Sequence, residues 1–250
     1  MPVGRTLSYV DTSPIADDQT IYVGTDGGQL PAHLWLPPSG SGPGLLLIQE
    51  IFWVSDYIKQ RAADLAELGY VVLAPEIYWR LDDTSLDESS PELLDRALAI
   101  VSRLDWPTAV SDAVAALNHL RGMAEVRGGV GVIGFCFGGG LGFNVAAVSS
   151  PDVLVSYYGS ALPNLLDLAP EVDAPSLHHF GEADDYLAPE VVGRIREAVL
   201  ANPLSEVEIY PGAGHAFDNP LPMFHHAGAS ALAWRRTADF LTVRLPAPTN

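Results

Sequence analysis

The sequence contains a single cysteine, a single lysine and few basic residues of any kind. One cysteine excludes an internal disulfide, so Cys136 is either a small buried apolar side chain or a reactive thiol. Thirteen basic residues stand against 31 acidic ones, which gives a formal net charge of −18. Because this charge repels nucleic-acid phosphates and anionic lipids, we expect no nucleic acid and no membrane as a partner.

Long apolar runs are also absent. No 18 consecutive apolar residues occur, and residues 1–12 hold no basic stretch followed by an apolar run. We therefore expect a cytoplasmic protein, either a monomer or a weak homodimer. The 250 residues, 48% of them hydrophobic, suit one domain over 1–250, since glycine and proline are spread along the chain and form no linker.

Short apolar runs alternate with longer segments of helical spacing. The runs predict strands at 45–48, 70–74, 129–133, 153–158, 176–180 and 207–210. The longer segments predict helices at 56–68, 91–104, 109–121, 137–148, 189–200 and 223–243.

This alternation predicts the α/β class, with a mostly parallel central sheet and helices on both faces. Residues 20–24 and 30–36 flank Asp26-Gly27-Gly28, a turn sequence that predicts an antiparallel hairpin at the amino-terminal edge. The outline is that of an α/β-hydrolase, in which the chemistry gathers at the carboxyl ends of the strands.

The predicted strand 129–133 runs directly into Gly134-Phe135-Cys136-Phe137-Gly138 and then a predicted helix. This is the nucleophile-elbow pattern, in which flanking glycines permit a sharp strand-to-helix turn and the helix N-terminus favours a thiolate and an oxyanion. The alternative is a glycine-rich packing turn around an inert cysteine. A phosphate-binding loop is disfavoured because no Gly-Lys-Ser/Thr follows.

An acid and a histidine follow the next strands in the order that this fold requires. Asp184 comes after the strand 176–180, and His215 comes after the strand 207–210. The histidine would accept the thiol proton and the carboxylate would fix its tautomer. As alternatives, His215 is an ordinary loop residue, Asp184 forms a turn or caps a helix, and Asp185 takes the acid's place.

The remaining paired histidines are adjacent residues, His178 with His179 on a strand and His225 with His226 on a helix. Neighbouring residues on a strand or helix do not aim both rings at one ion. With one cysteine in the chain, we expect no metal site, and no cofactor motif is present.

Together these residues resemble the dienelactone hydrolase family over nearly the whole chain. The segments that carry the resemblance, in the family's order, are Gln49-Glu50-Ile51-Phe52, Gly69-Tyr70, Ala74-Pro75-Glu76-Ile77-Tyr78, Gly134-Phe135-Cys136-Phe137-Gly138-Gly139, Tyr157-Tyr158-Gly159, His179-Phe180-Gly181 and Gly212-Ala213-Gly214-His215-Ala216-Phe217. The resemblance implies hydrolysis of a cyclic ester through an acyl-thioester on Cys136, with His215 and Asp184 as partners.

The resemblance also implies that Glu50 contacts the thiol and accepts its proton when substrate binding reorganises the carboxylate. The alternative for Glu50 is a structural residue that bonds the loop backbone. The backbone N–H groups of Ile51 and Phe137 would form the oxyanion hole.

In the family, two arginines bind the substrate carboxylate, and this sequence has other residues at both positions. Asn219 occupies one position and Leu94 the other, with Arg96 two places away. This counts against the anionic dienelactone as substrate, because a guanidinium–carboxylate bond contributes about 1.5–3 kcal/mol. Arg80 and Arg96 are candidates to compensate.

Tyr158 and Trp106 are further candidates for binding the substrate. Trp53, Trp79 and Trp106 fall near the predicted pocket loops and would suit a less polar substrate, with core packing as the alternative.

The sequence thus predicts a cofactor-independent cysteine hydrolase acting on a small-molecule ester or lactone. A thioesterase or peptidase using the same residues, and a non-catalytic ligand-binding protein that keeps the fold, are the alternatives.

Overall fold

A computed structural model describes residues 19–87 and 90–247. Eight strands form one sheet. They are β1 (Gln19–Thr25), β2 (Gly28–Trp35), β3 (Gly42–Ile48), β4 (Val71–Pro75), β5 (Val126–Phe135), β6 (Leu154–Tyr157), β7 (Ser176–Gly181) and β8 (Ser205–Tyr210). Within these two ranges six α-helices accompany them: α1 (Asp56–Glu67), α2 (Leu93–Val101), α3 (Trp106–Gly122), α4 (Phe137–Ser149), α5 (Pro189–Val199) and α6 (Ala227–Arg244).

The strand order is β1-β2-β4-β3-β5-β6-β7-β8. The pairs β1–β2 and β2–β4 are antiparallel, and every other neighbouring pair is parallel. This confirms the predicted α/β class with a mostly parallel sheet and an antiparallel amino-terminal edge. In the hairpin, Thr25 pairs with Gly28, and Gly27 takes a φ of +94° that suits a residue without Cβ.

Strands β3, β4, β6 and β7 are buried along their whole length and β5 over its last six residues, as expected where crossover helices cover a parallel sheet. Helix α3 packs against β3 and β5, α4 against β5 and β6, and α6 against β7. In α4 the second to fourth residues are glycines, and their lack of side chains lets the helix approach β3 and β6 closely. This close approach places the start of α4 at the carboxyl edge of the sheet.

Several element boundaries differ from the prediction for local reasons. Helix α3 begins at Trp106, three residues early, because the Asp105 side chain accepts the N–H of Thr108 and caps it. Helix α6 begins at Ala227, later than predicted, where the His226 ring caps the first turn. Strand β6 ends at Tyr157 because Tyr158 has a φ of +37°, outside strand geometry.

Helix α2 covers only 93–101 of the predicted 91–104. Within the ranges 19–87 and 90–247, no helix combines the length and hydropathy needed to span a bilayer.

Candidate active site

Five parallel strands end at one edge of the sheet, and each is followed by a side chain of the candidate site. Cys136 follows β5 directly, Asp184 lies after β7, and His215 lies after β8. Glu50 follows β3 and Ser160 follows β6. The parallel arrangement therefore brings residues 50, 136, 160, 184 and 215 together from distant parts of the sequence.

The turn that carries Cys136 has the strained geometry of a nucleophile elbow. Cys136 has a φ of +52° and stands at the N-cap of α4. A Cβ on Gly134 would collide with the backbone carbonyl of Gly138, and a Cβ on Gly138 would collide with that of Ile48. Both glycines are therefore required by close backbone contacts, and the sulfur is held at the helix N-terminus.

A hydrogen-bonded chain links the sulfur to the acid. His215 Nε2 lies 3.1 Å from Cys136 Sγ, and His215 Nδ1 lies 2.7 Å from Asp184 Oδ2. The other carboxylate oxygen of Asp184 accepts the N–H groups of Tyr186 at 2.8 Å and Leu187 at 2.9 Å. The acid is thus fixed on both oxygens, and the imidazole is held with Nε2 toward the thiol.

Electrostatics favour a charged imidazole here. Burial opposes that charge, but the sulfur and the Asp184 hydrogen bond outweigh burial and raise the pKa of His215 to about 10. Burial likewise opposes the charge on Asp184, yet the bonds from His215 and from two backbone N–H groups lower its pKa. Asp185, the alternative acid, is exposed and Asp184 is buried.

Glu50 is 1% exposed and lies in the loop after β3. Its carboxylate accepts the amide of Asn219 at 2.7 Å and the hydroxyl of Tyr158 at 3.2 Å. Burial, only partly offset by these bonds, raises the pKa of Glu50 to about 7.

The contact between Glu50 and the thiol that the resemblance implies is replaced by other bonds. Asn219 and Tyr158 hold the carboxylate, while the thiol lies against His215 and, at 3.7 Å, the hydroxyl of Ser160. The shorter of the two bonds to the Glu50 carboxylate comes from the amide of Asn219, which holds it in this position.

A cavity of about 140 Å³ opens over the thiol. Its lining includes Cys136, His215 and Glu50, together with the two predicted oxyanion-hole residues, Ile51 and Phe137. Phe137 is the first residue of α4, so its N–H has no acceptor within the helix. The rest of the lining is mainly apolar, and one face of it comes from α2.

Side-chain bonds fix the loop that carries Glu50 and Ile51. The amide of Gln49 donates to the carbonyl of Glu50 and accepts the N–H of Ile77. The hydroxyl of Tyr78 donates to the carbonyl of Ile51 at 3.2 Å. The peptide groups beside the cavity are therefore preorganised, as an oxyanion site requires.

The two arginines proposed to bind a substrate carboxylate point elsewhere. Arg80 forms a two-bond ion pair with the buried Asp112 and stacks on Trp79. Arg96 pairs with Asp83 and donates to the carbonyl of Ser85. Among the described residues that line the cavity there is no arginine or lysine. Acidic partners elsewhere thus hold both guanidinium groups in structural roles.

Trp106 and Tyr158 stand behind the cavity wall. Trp106 packs edge-on against Phe137 and donates to the Asn144 side chain at 2.9 Å. Tyr158 reaches the site through its bond to Glu50. Both support residues of the lining and are absent from it.

The structure adds groups that the sequence analysis missed. Asp218 is 1% exposed and accepts bonds from Arg61, Tyr57 and Ser230. This cluster anchors the loop between His215 and Asn219 to helix α1. The only sequence feature that could have pointed to this cluster is the position of Asp218, three residues after His215.

His178 and His179 have structural roles, whereas His225 and His226, predicted on a helix, lie just before α6. The rings of His178 and His179 are fully buried in β7, and burial lowers the pKa of both. His179 bonds to Tyr210 and Thr237.

Comparison with known proteins places this chain in a family. A model of the dienelactone hydrolase family matches residues 30–245. The chain belongs to the dienelactone hydrolase family. A carboxymethylenebutenolidase from Pseudomonas putida is 34% identical over 217 residues, covering 86% of this chain and 92% of that protein.

Two further proteins are similar to this chain, one in sequence and one in fold. Carboxymethylenebutenolidase 1 from Cupriavidus pinatubonensis is 32% identical over 219 residues, covering 87% of this chain and 93% of that protein. The crystal structure of a dienelactone hydrolase from Anabaena variabilis shares the fold with a TM-score of 0.68 and 20% identity, covering 92% and 98% of the two chains.

Proposed function

We propose that this dienelactone hydrolase family member cleaves a small ester or lactone through an acyl-thioester on Cys136, without a cofactor. The observation that carries the proposal is the 3.1 Å approach of His215 Nε2 to Cys136 Sγ beside a cavity, with Asp184 bound to the far side of the ring. The family match and the carboxymethylenebutenolidase relatives support a lactone or ester as the bond cleaved.

In the acylation step His215 takes the thiol proton and the sulfur attacks the carbonyl carbon. The carbonyl oxygen becomes an oxyanion, stabilised by the N–H groups of Ile51 and Phe137. The carbon–oxygen ester bond then breaks and His215 returns its proton to the leaving alkoxide. For a lactone the freed hydroxyl stays attached to the acyl group.

In the deacylation step His215 removes a proton from water, and the hydroxide attacks the thioester carbonyl. The carbon–sulfur bond breaks, the carboxylic acid leaves and the sulfur regains its proton from His215. Glu50 has the supporting role in this proposal. A carboxyl group whose pKa lies near 7 exchanges protons at neutral pH, so once bound substrate displaces it from Asn219 it can accept the thiol proton in place of His215. In that case a charged His215 protonates the alkoxide and regains a proton from water, and Glu50 returns its proton to the sulfur when the thioester is cleaved.

The alternative for a buried cysteine is an inert apolar residue, and two features argue against it. Cys136 lines the cavity although it is only 8% exposed, and its sulfur faces an imidazole that a buried carboxylate orients. A packing cysteine needs neither feature.

Alkylation and substitution of Cys136 test the proposal. Iodoacetamide should inactivate the protein with one label, on Cys136, and Cys136→Ala should abolish turnover of aryl esters and lactones. Wild-type turnover by Cys136→Ala would refute the cysteine mechanism. Acyl thioesters and peptides should be assayed with the same preparation. Faster cleavage of either class than of esters would favour a thioesterase or a peptidase.

A further inference from the structure

Helix α2 carries two adjoining apolar faces, one fully buried in the core and one only partly buried. Leu93, Ala97 and Ile100 are buried in the core at the i, i+4, i+7 spacing of one helix face. The next residues along the helix, 94, 98 and 101, repeat this spacing with apolar side chains. Of these three, Leu94 and Val101 are partly buried against the core, whereas Leu98 is exposed.

The second face lines the cavity over the thiol. Leu94, Leu98 and Val101 are all cavity-lining residues, and Leu98 is 41% exposed. On a different segment of the wall lie Phe52 and Phe224, whose ring centroids are 6.1 Å apart. The cavity thus has aliphatic and aromatic walls whose apolar surface is not fully covered by the protein itself.

The charges around the cavity disfavour an anionic substrate. Its ionisable lining residues are Glu50, Cys136, Tyr186 and His215, and His215 is bonded to Asp184. A substrate carboxylate that entered the cavity would lose its hydration and lie near the carboxyl group of Glu50. None of the described lining residues is a lysine or arginine that could pair with it.

From these observations we infer that the face of α2 formed by Leu94, Leu98 and Val101 binds an uncharged apolar group of the ester or lactone substrate. The inference rests on the proposed function and names its substrate class. Leu98, at the exposed part of this face, is the specificity-determining residue most open to test.

A substrate series on the unmodified protein is the first test. p-Nitrophenyl acetate, propionate, butyrate and pentanoate vary the acyl chain, and ethyl to hexyl acetates vary the alcohol, with each rate divided by that for hydroxide hydrolysis. In at least one series we expect kcat/KM to rise by about fourfold per methylene, the value for a fully buried methylene. p-Nitrophenyl hydrogen glutarate, which has a carboxylate in place of the pentanoate methyl group, should react at least tenfold more slowly than the pentanoate.

A pair of variants locates the binding surface. Leu98→Asn should lower kcat/KM for the longest substrate of the responsive series at least fivefold and that for the shortest less than about twofold. Leu68→Asn, a control at a similarly exposed leucine after α1, should change neither. An equal loss for short and long substrates in Leu98→Asn would overturn the assignment to α2.

Failure of the inference is distinguishable from failure of the proposed function. If both series are flat, or the glutarate monoester reacts as fast as the pentanoate, while turnover still requires Cys136, the inference is wrong and the proposed function stands. If no ester is cleaved and iodoacetamide leaves Cys136 unlabelled, the proposed function is wrong, and this inference with it.

Discussion

Replacing Asp184 with asparagine should impair the proposed catalysis while leaving most contacts in place. The asparagine oxygen can still accept the N–H groups of Tyr186 and Leu187, which Asp184 Oδ1 accepts at 2.8 and 2.9 Å. Its NH2 group would then face His215 Nδ1. A donor in that position favours the tautomer with the proton on Nε2, which cannot take the thiol proton.

The magnitude follows from the bond that is lost. A hydrogen bond to a charged group contributes about 1.5–3 kcal/mol, which corresponds to about a 10- to 150-fold loss in kcat/KM. Because the Asp184 bond helps to raise the pKa of His215 to about 10, its loss should also move the basic limb of the pH–rate profile to lower pH. Steady-state hydrolysis of p-nitrophenyl esters from pH 5 to 10.5 measures both effects.

The neighbouring residue supplies a matched control. Asp185 is exposed, so Asp185→Asn removes the same charge one residue away and should change kcat/KM by less than about twofold. If Asp184→Asn behaved like this control, in rate and in pH profile, the assignment of Asp184 as the orienting acid would be refuted. A large loss in Asp185→Asn alone would transfer the role to that residue.

Three further predictions concern stability and substrate binding. Folding raises the pKa of Glu50 from 4.5 to about 7, so the native state binds an extra proton and the free energy of unfolding falls as pH rises through that window. Glu50→Gln should make this fall smaller by up to about 3 kcal/mol, as measured by urea unfolding at pH 5 and pH 8. Gly138→Ala should prevent normal folding because its methyl group meets a β3 carbonyl, whereas Gly193→Ala, in open space on α5, should raise the free energy of unfolding by about 0.5–1 kcal/mol. Arg80→Met should leave kcat/KM within about twofold and destabilise the fold by about 3 kcal/mol, since it removes the counter-ion of the buried Asp112 carboxylate and leaves it only the indole N–H of Trp79. A large rise in KM would instead restore Arg80 as a substrate-binding residue.

The positions of Cys136, Asp184 and His215 could be predicted from the sequence because each follows a recognisable strand. Parallel strands end at a common edge, so strand order alone predicts that side chains in the following loops meet. The nucleophile elbow also needs glycine at two fixed positions, and that requirement is visible in one sequence.

Side-chain direction could not be predicted in the same way. Arg96 and Leu98 are two residues apart on α2, but only the rotation of the helix decides that Leu98 meets the cavity and Arg96 meets Asp83. The cluster around Asp218 also joins α1 to a loop more than 150 residues later, and no local pattern connects them. The positive φ of Tyr158 was missed because its sequence continues an apolar strand without a break.

Mass spectrometry of the acid-quenched protein, mixed for milliseconds with an activated ester, tests the central claim most directly. The account predicts a mass increase equal to one acyl group on the peptide that contains Cys136, removable by neutral hydroxylamine, forming and decaying at rates consistent with kcat. Steady turnover with that peptide unmodified at every time point, or with the acyl group on a serine or another residue, would contradict it.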